Sequence, residues 1–113
     1  MKMLLAVLLL AGCAALPGKF DSNEQMYYAN LEVLSQDMCN TDSNALESMR
    51  LETKILVAYT RYSSEGSRKL AEDAKAMLDG IPDKMSPTFC AEASKNLYAG
   101  YDRILKTLSG RAQ

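Results

Sequence analysis

Three cysteines are the residues of this 113-residue chain best equipped for chemistry: Cys13, Cys39 and Cys90. Cys13 follows Leu10-Ala11-Gly12, the end of an apolar run that begins at Leu4 and is preceded by Lys2. A basic residue, a short apolar stretch and small residues ahead of a cleavage point form a secretory signal, and the run is too short to span a bilayer. A thiol at that place is available for covalent modification; in an ordinary secretory signal it would be there by chance. Export also decides the chemistry of the other two cysteines. With Cys13 set aside for that modification an even pair remains in an oxidising compartment, so Cys39 and Cys90 are expected to form a disulfide. The alternative, two free thiols in redox work, lacks a C-x-x-C arrangement and sets the sulfurs far apart in sequence.

Other reactive groupings are missing. The chain has no histidine, which removes the commonest general base and the commonest zinc ligand together. Ser94 and Lys95 are adjacent, and neighbours on a helix do not face each other, so they make no nucleophile and base pair. Glu24, Glu32 and Glu47 are spaced as caps and exposed-face residues rather than as paired carboxylates. No glycine-rich phosphate loop follows a strand. The expectation is a binding protein, with no catalytic residue, metal or cofactor. Lys and Arg number 13 against 14 Asp and Glu, and removal of residues 1–12 takes away only Lys2. The mature chain is therefore slightly acidic, and with no basic cluster in sequence neither nucleic acid nor an anionic membrane face is expected as a partner.

Four helices account for the rest. Asp21 with Glu24, and Ser22 with Gln25, are start signals for a first helix whose Tyr27, Leu31, Leu34 and Met38 form an apolar stripe. Cys39 lies at its end, and Asn40–Asn44 is a polar break. Asn44 with Glu47 signals the next start. The second helix carries two apolar lines, Leu46, Met49, Thr53 and Leu56 on one and Leu51, Ile55, Ala58, Tyr59 and Tyr62 on the other. That is more than one packing contact needs: either the helix touches neighbours on two sides, or one face lines a groove for a partner. Gly66 and the serines around it suit a cap or a bend. A third helix follows with Leu70, Ala74, Met77 and Leu78 inward, closed by Gly80 and Pro82. Ser86 and Pro87 open a last helix with Cys90, Ala93, Leu97, Tyr101, Ile104 and Leu108 along one stripe, and Gly110 ends it. Six tyrosines, with no tryptophan, suit either a small core or an adaptable peptide groove, as do the five methionines of the mature chain.

The Leu10-Ala11-Gly12-Cys13 pattern resembles the bacterial lipoprotein box. The resemblance implies lipidation of Cys13, cleavage before it, and an acylated amino terminus. Ala14, in place of an inner-membrane retention Asp, implies the periplasmic face of the outer membrane. Beyond the box, Leu34-x4-Cys39-Asn40 at the end of the first helix and Cys90 some 50 residues on at the start of the last resemble the PulS/OutS pilotins of type II secretion. What this likeness implies is an outer-membrane lipoprotein that binds the C-terminal segment of its secretin as a helix in an apolar groove and is carried by the lipoprotein sorting machinery. On this reading residues 1–12 are a removed signal peptide, 13–20 a lipidated tether, 21–110 the four-helix domain and 111–113 a frayed tail. The groove is expected to use Leu51, Ile55, Tyr59 and Tyr62 of the second helix with Leu70 and Met77 of the third. The alternatives are a lipoprotein of another envelope machine, such as a conjugative exclusion or type VI secretion component, or a periplasmic inhibitor.

Overall fold

The structure, a computed structural model, describes residues 19–111. The expected signal segment, Cys13 and all of the tether but Lys19 and Phe20 lie outside the described residues, as do residues 112 and 113. The described chain is an all-α four-helix domain: α1 (Ser22–Asp37), α2 (Ala45–Thr60), α3 (Glu65–Asp79) and α4 (Pro87–Ser109).

Local sequence sets the helix ends. Asp21 caps α1 by accepting from the amides of Asn23 and Glu24. Ser64 and Ser86 do the same for α3 and α4, accepting from the Ser67 and Phe89 amides, so each satisfies one otherwise orphaned donor. Pro87 occupies the first turn of α4, where a missing N–H costs nothing. Two ends differ from expectation. The Asn44 side chain makes no cap bond; instead Ser43 Oγ accepts from the Ala45 amide at 3.1 Å while donating to the Asp37 carbonyl at 2.9 Å, tying the end of α1 to the start of α2. Gly66 lies in the first turn of α3 rather than in a bend.

Side-chain bonds fix the directions. Cys39, just after α1, is bonded to Cys90 at the start of α4, and Glu24 at the start of α1 is paired with Arg111 beyond the end of α4, so α1 and α4 run antiparallel. Tyr59 reaches Asp21 and Asn30 reaches Glu52 between antiparallel α1 and α2. At the far end of α2, Arg50 bonds the Ile81 carbonyl beyond α3. The bundle is up-down-up-down. Its largest interface is α1 with α4, where Ser94 Oγ donates to the Ser35 carbonyl at 2.6 Å and two small residues let the backbones approach. α3 and α4 make a much smaller one.

The core contains Tyr28, Leu31, Met49, Leu56, Tyr101 and Leu108, each essentially sealed from solvent. Burial of such a side chain is worth about 1.5–3 kcal/mol. The α4 stripe from Cys90 to Leu108 is buried throughout, as its spacing predicts. On α1 the buried line is Glu24, Tyr28, Leu31, Ser35 and Met38, rotated by about one residue from the expected stripe; Tyr27 and Leu34 are half-buried. The rotation follows from packing: α1 turns its centre to α4 and leaves Tyr27 and Leu34 beside the core.

Arg111 corrects another expectation. Far from fraying, it is 5% exposed, and its Nη1 donates to Glu24 Oε1 and Ser67 Oγ, both at 2.9 Å. Ser67 Oγ in turn donates to the same carboxylate oxygen at 3.1 Å. Glu24 is thus a buried ion-pair partner and not an exposed capping residue. A charge that enters the interior needs a partner of opposite sign, and the chain past Gly110 supplies one.

Candidate functional site

The loose contact between α3 and α4 leaves a trough along the bundle. Met77 divides it into two cavities. One, of about 370 Å³, is lined by Ile81, Phe89, Ala93 and Leu97 among others; the second, of about 440 Å³, is lined by Leu70, Ala76, Gly100 and Ile104 among others. Met77 and Arg103 belong to both. From Phe89 to Thr107 the α4 wall runs about 27 Å, the length of some five helical turns. Phe89 is 47% exposed at one mouth, and Asp73, Glu92 and Arg103 give the rim charges of both signs. Two apolar walls with a polar rim can cover a helix on two sides, which a single exposed helix face cannot.

Gly100 explains the division. A Cβ at that position would sit 2.5 Å from Met77 Sδ, so the thioether lies in a notch that only glycine leaves open. Because the obstacle is the far end of a flexible side chain, Gly100→Ala should move Met77 rather than the backbone. Alanine gains about 1 kcal/mol of helix propensity over glycine, so the variant should melt no lower than the wild type in a thermal scan. A fall of several degrees would mean that Met77 cannot leave the notch.

The structure divides the six residues expected to form one groove. Leu70 and Met77 line the trough. Leu51 and Ile55 instead form an outward ridge on α2, 60% and 43% exposed, across that helix from its buried Met49, Thr53 and Leu56, and Tyr62, just past its end, is 93% exposed. Tyr59 leans from this ridge to α1: its ring meets that of Tyr27 at 5.4 Å between centroids, and its hydroxyl donates to Asp21 Oδ2 at 2.8 Å. It serves the α1–α2 seam. Ile81, Phe89, Leu97 and Ile104 complete the trough and were missing from the expected set, since no periodicity in α4 reveals that its neighbour α3 stands off from it.

The Asp21 cap is the titrating element of this seam. Burial alone pushes its carboxyl up, but the Tyr59 hydroxyl and the Asn23 and Glu24 amides outweigh it and hold the group below its ordinary value of 3.8. A carboxyl lowered in the folded state adds stability above the unfolded value and loses it as pH falls through the folded one. Tyr59→Phe should therefore narrow the difference in melting temperature between neutral pH and about pH 3; an unchanged difference would show that Tyr59 does not set this acid dependence.

Cys39 and Cys90 form the expected disulfide. Cys13 lies outside the described residues. Among the described residues no group of acidic or cysteine side chains is gathered to hold a metal ion, and no helix is long and apolar enough to cross a membrane. A further cavity of about 340 Å³ between α2 and α3 is lined by Val57, Leu78 and Ile81 together with Arg50, Lys54, Lys75 and Asp79; it is a single pocket, whereas the trough joins two end to end. No protein-family model, curated protein or solved structure matches the chain.

Proposed function

We propose that the protein is a lipid-anchored carrier that holds an amphipathic helical segment of another protein between α3 and α4, in the manner of a type II secretion pilotin holding the C-terminal segment of its secretin. The observation that carries this reading is the open apolar trough, about five turns long, on a domain whose core and disulfide hold the helices together. Its walls suit a segment that is disordered when free and becomes helical when bound. Such a segment loses ordering entropy on binding, so affinity rests on a few apolar anchors and remains weak enough for release. The lipid expected on Cys13 would place carrier and cargo on the sorting route to the outer membrane.

The test is secretin localisation in cells that make variants of this chain. Phe89→Asp puts a charge into the trough at an already half-exposed position and should leave the secretin out of the outer-membrane fraction, while Ile55→Asp on the α2 ridge should leave targeting intact. The reverse pattern would move the binding surface to the ridge and favour a folded partner in another envelope machine. Normal targeting in both variants would reject the carrier reading.

A further inference from the structure

The near-neutral composition conceals a strong separation of charge along the bundle. Folding brings the start of α1, the α2–α3 connection and the end of α4 to one end, where Glu24, Ser67 and Arg111 meet inside and Lys19, Phe20, Ser63 and Ser64 border one surface depression. The segments that make this end, residues 19–24, 61–69 and 106–111, hold Lys19, Arg61, Arg68, Lys69, Lys106 and Arg111 against Asp21, Glu24 and Glu65. At the opposite end, residues 37–50 and 79–92 hold Asp37, Asp42, Glu47, Asp79, Asp83 and Glu92 against Arg50 and Lys84, with Asp83 paired to Arg50 and Asp79 to Lys75. Arg111 is spent on Glu24, and Lys106 pairs with Asp102. That leaves Lys19, Arg61, Arg68 and Lys69 exposed and outside any ion pair among the described residues. In their midst is Tyr62, at 93% the most exposed of the large hydrophobic side chains.

We infer that this basic end lies on the surface of an anionic bilayer, with Tyr62 at headgroup depth and Lys19, Arg61, Arg68 and Lys69 facing lipid phosphates. The inference rests on the lipid-anchor part of the proposed function. Only six peptide units separate Cys13 from Lys19, a covalent reach of roughly 21 Å at full extension, so an acylated Cys13 holds this end, and not the acidic one, against the membrane. Charge adds to proximity: the basic end is attracted within a Debye length of anionic headgroups while the acidic end is repelled. Tyrosine is a side chain suited to the interface, with an apolar ring and a hydroxyl that stays wet. The bundle then stands end-on, and the trough, running along its axis, opens sideways to the periplasm.

The chain has no tryptophan, so Tyr62→Trp makes a single fluorescent reporter. The full-length variant, processed in a bacterium, is extracted by detergent phase separation and reconstituted into phosphatidylethanolamine and phosphatidylglycerol vesicles with or without brominated acyl chains; Phe89→Trp, at the acidic end, is the matching reporter. Expected are a blue-shifted Tyr62→Trp emission that brominated lipid quenches, a Phe89→Trp emission that it does not, and loss of the blue shift when Arg61, Arg68 and Lys69 are all changed to Glu. A membrane-bound Tyr62→Trp protein with water-like, unquenched emission would overturn the docking geometry and leave the anchor standing. Failure of the protein to enter the detergent phase would overturn the anchor, and the docking with it.

Discussion

Reduction of the Cys39–Cys90 disulfide, or its removal by Cys39→Ser with Cys90→Ser, is expected to lower the unfolding free energy by about 4 kcal/mol. The bond joins residues 51 apart, and closing a loop of that length removes chain entropy from the unfolded state on this scale. For a domain of this size each kcal/mol corresponds to several degrees of melting temperature, so a drop of about 15 °C or more should be seen by circular dichroism with and without reductant. The location of the bond adds a second consequence. It fastens the end of α1 to the start of α4 at the largest helix interface, beside Phe89 and the adjoining mouth of the trough. Loss of the bond should therefore loosen that mouth in hydrogen exchange before the rest of the bundle opens. An oxidised and a reduced protein that melt together would mean that the core alone carries the fold.

Arg111→Ala should destabilise the domain by about 3 kcal/mol or more, because it leaves the Glu24 carboxylate buried without a counter-charge. Side-chain exposures of 1% for Arg111 and 2% for Glu24 put the pair fully inside. It is also imperfectly satisfied: among the described residues Glu24 Oε2 and Arg111 Nε have no hydrogen-bond partner, and neither do the core hydroxyls of Tyr28 and Tyr101. Burial, with Glu24 as the next contributor at Tyr28, pushes both phenols well up, so they remain neutral. A pair with this much unmet desolvation contributes less as a whole than either member costs when removed alone. The double variant Glu24→Leu with Arg111→Met should accordingly recover most of the loss. A double-mutant cycle by urea denaturation measures it; additive losses would show that the two groups act separately.

The parts of the fold visible in the sequence were those set by local chemistry. Asp21, Ser64, Ser86, Pro87, Gly80 and Gly110 marked helix ends because capping needs only a side chain and the backbone beside it. The α4 stripe was legible because one face of a long helix meets the core along its whole length. What escaped was decided between helices. The rotation of α1 toward Tyr28 and Ser35 depends on how closely α4 approaches, and the burial of Glu24 depends on Arg111, 87 residues away in sequence. The surplus apolar face of α2 was real, but amphipathicity cannot tell a concave wall from a convex ridge, so Leu51, Ile55 and Tyr62 were joined to Leu70 and Met77 although the fold separates them. For the trough, Gly100 was the one local sign: a glycine within the α4 stripe, placed where a side chain of α3 comes within reach.

Binding of a helical segment between α3 and α4 is the central claim, and fluorescence anisotropy tests it most directly. The mature chain with Cys13→Ser is titrated into a labelled peptide from the last 20 or so residues of a type II secretion secretin of the host bacterium, the proposed partner. Saturable binding near micromolar strength is expected, lost with Phe89→Asp and kept with Ile55→Asp. No binding at a hundredfold higher concentration, or equal binding by wild type and Phe89→Asp, would contradict it.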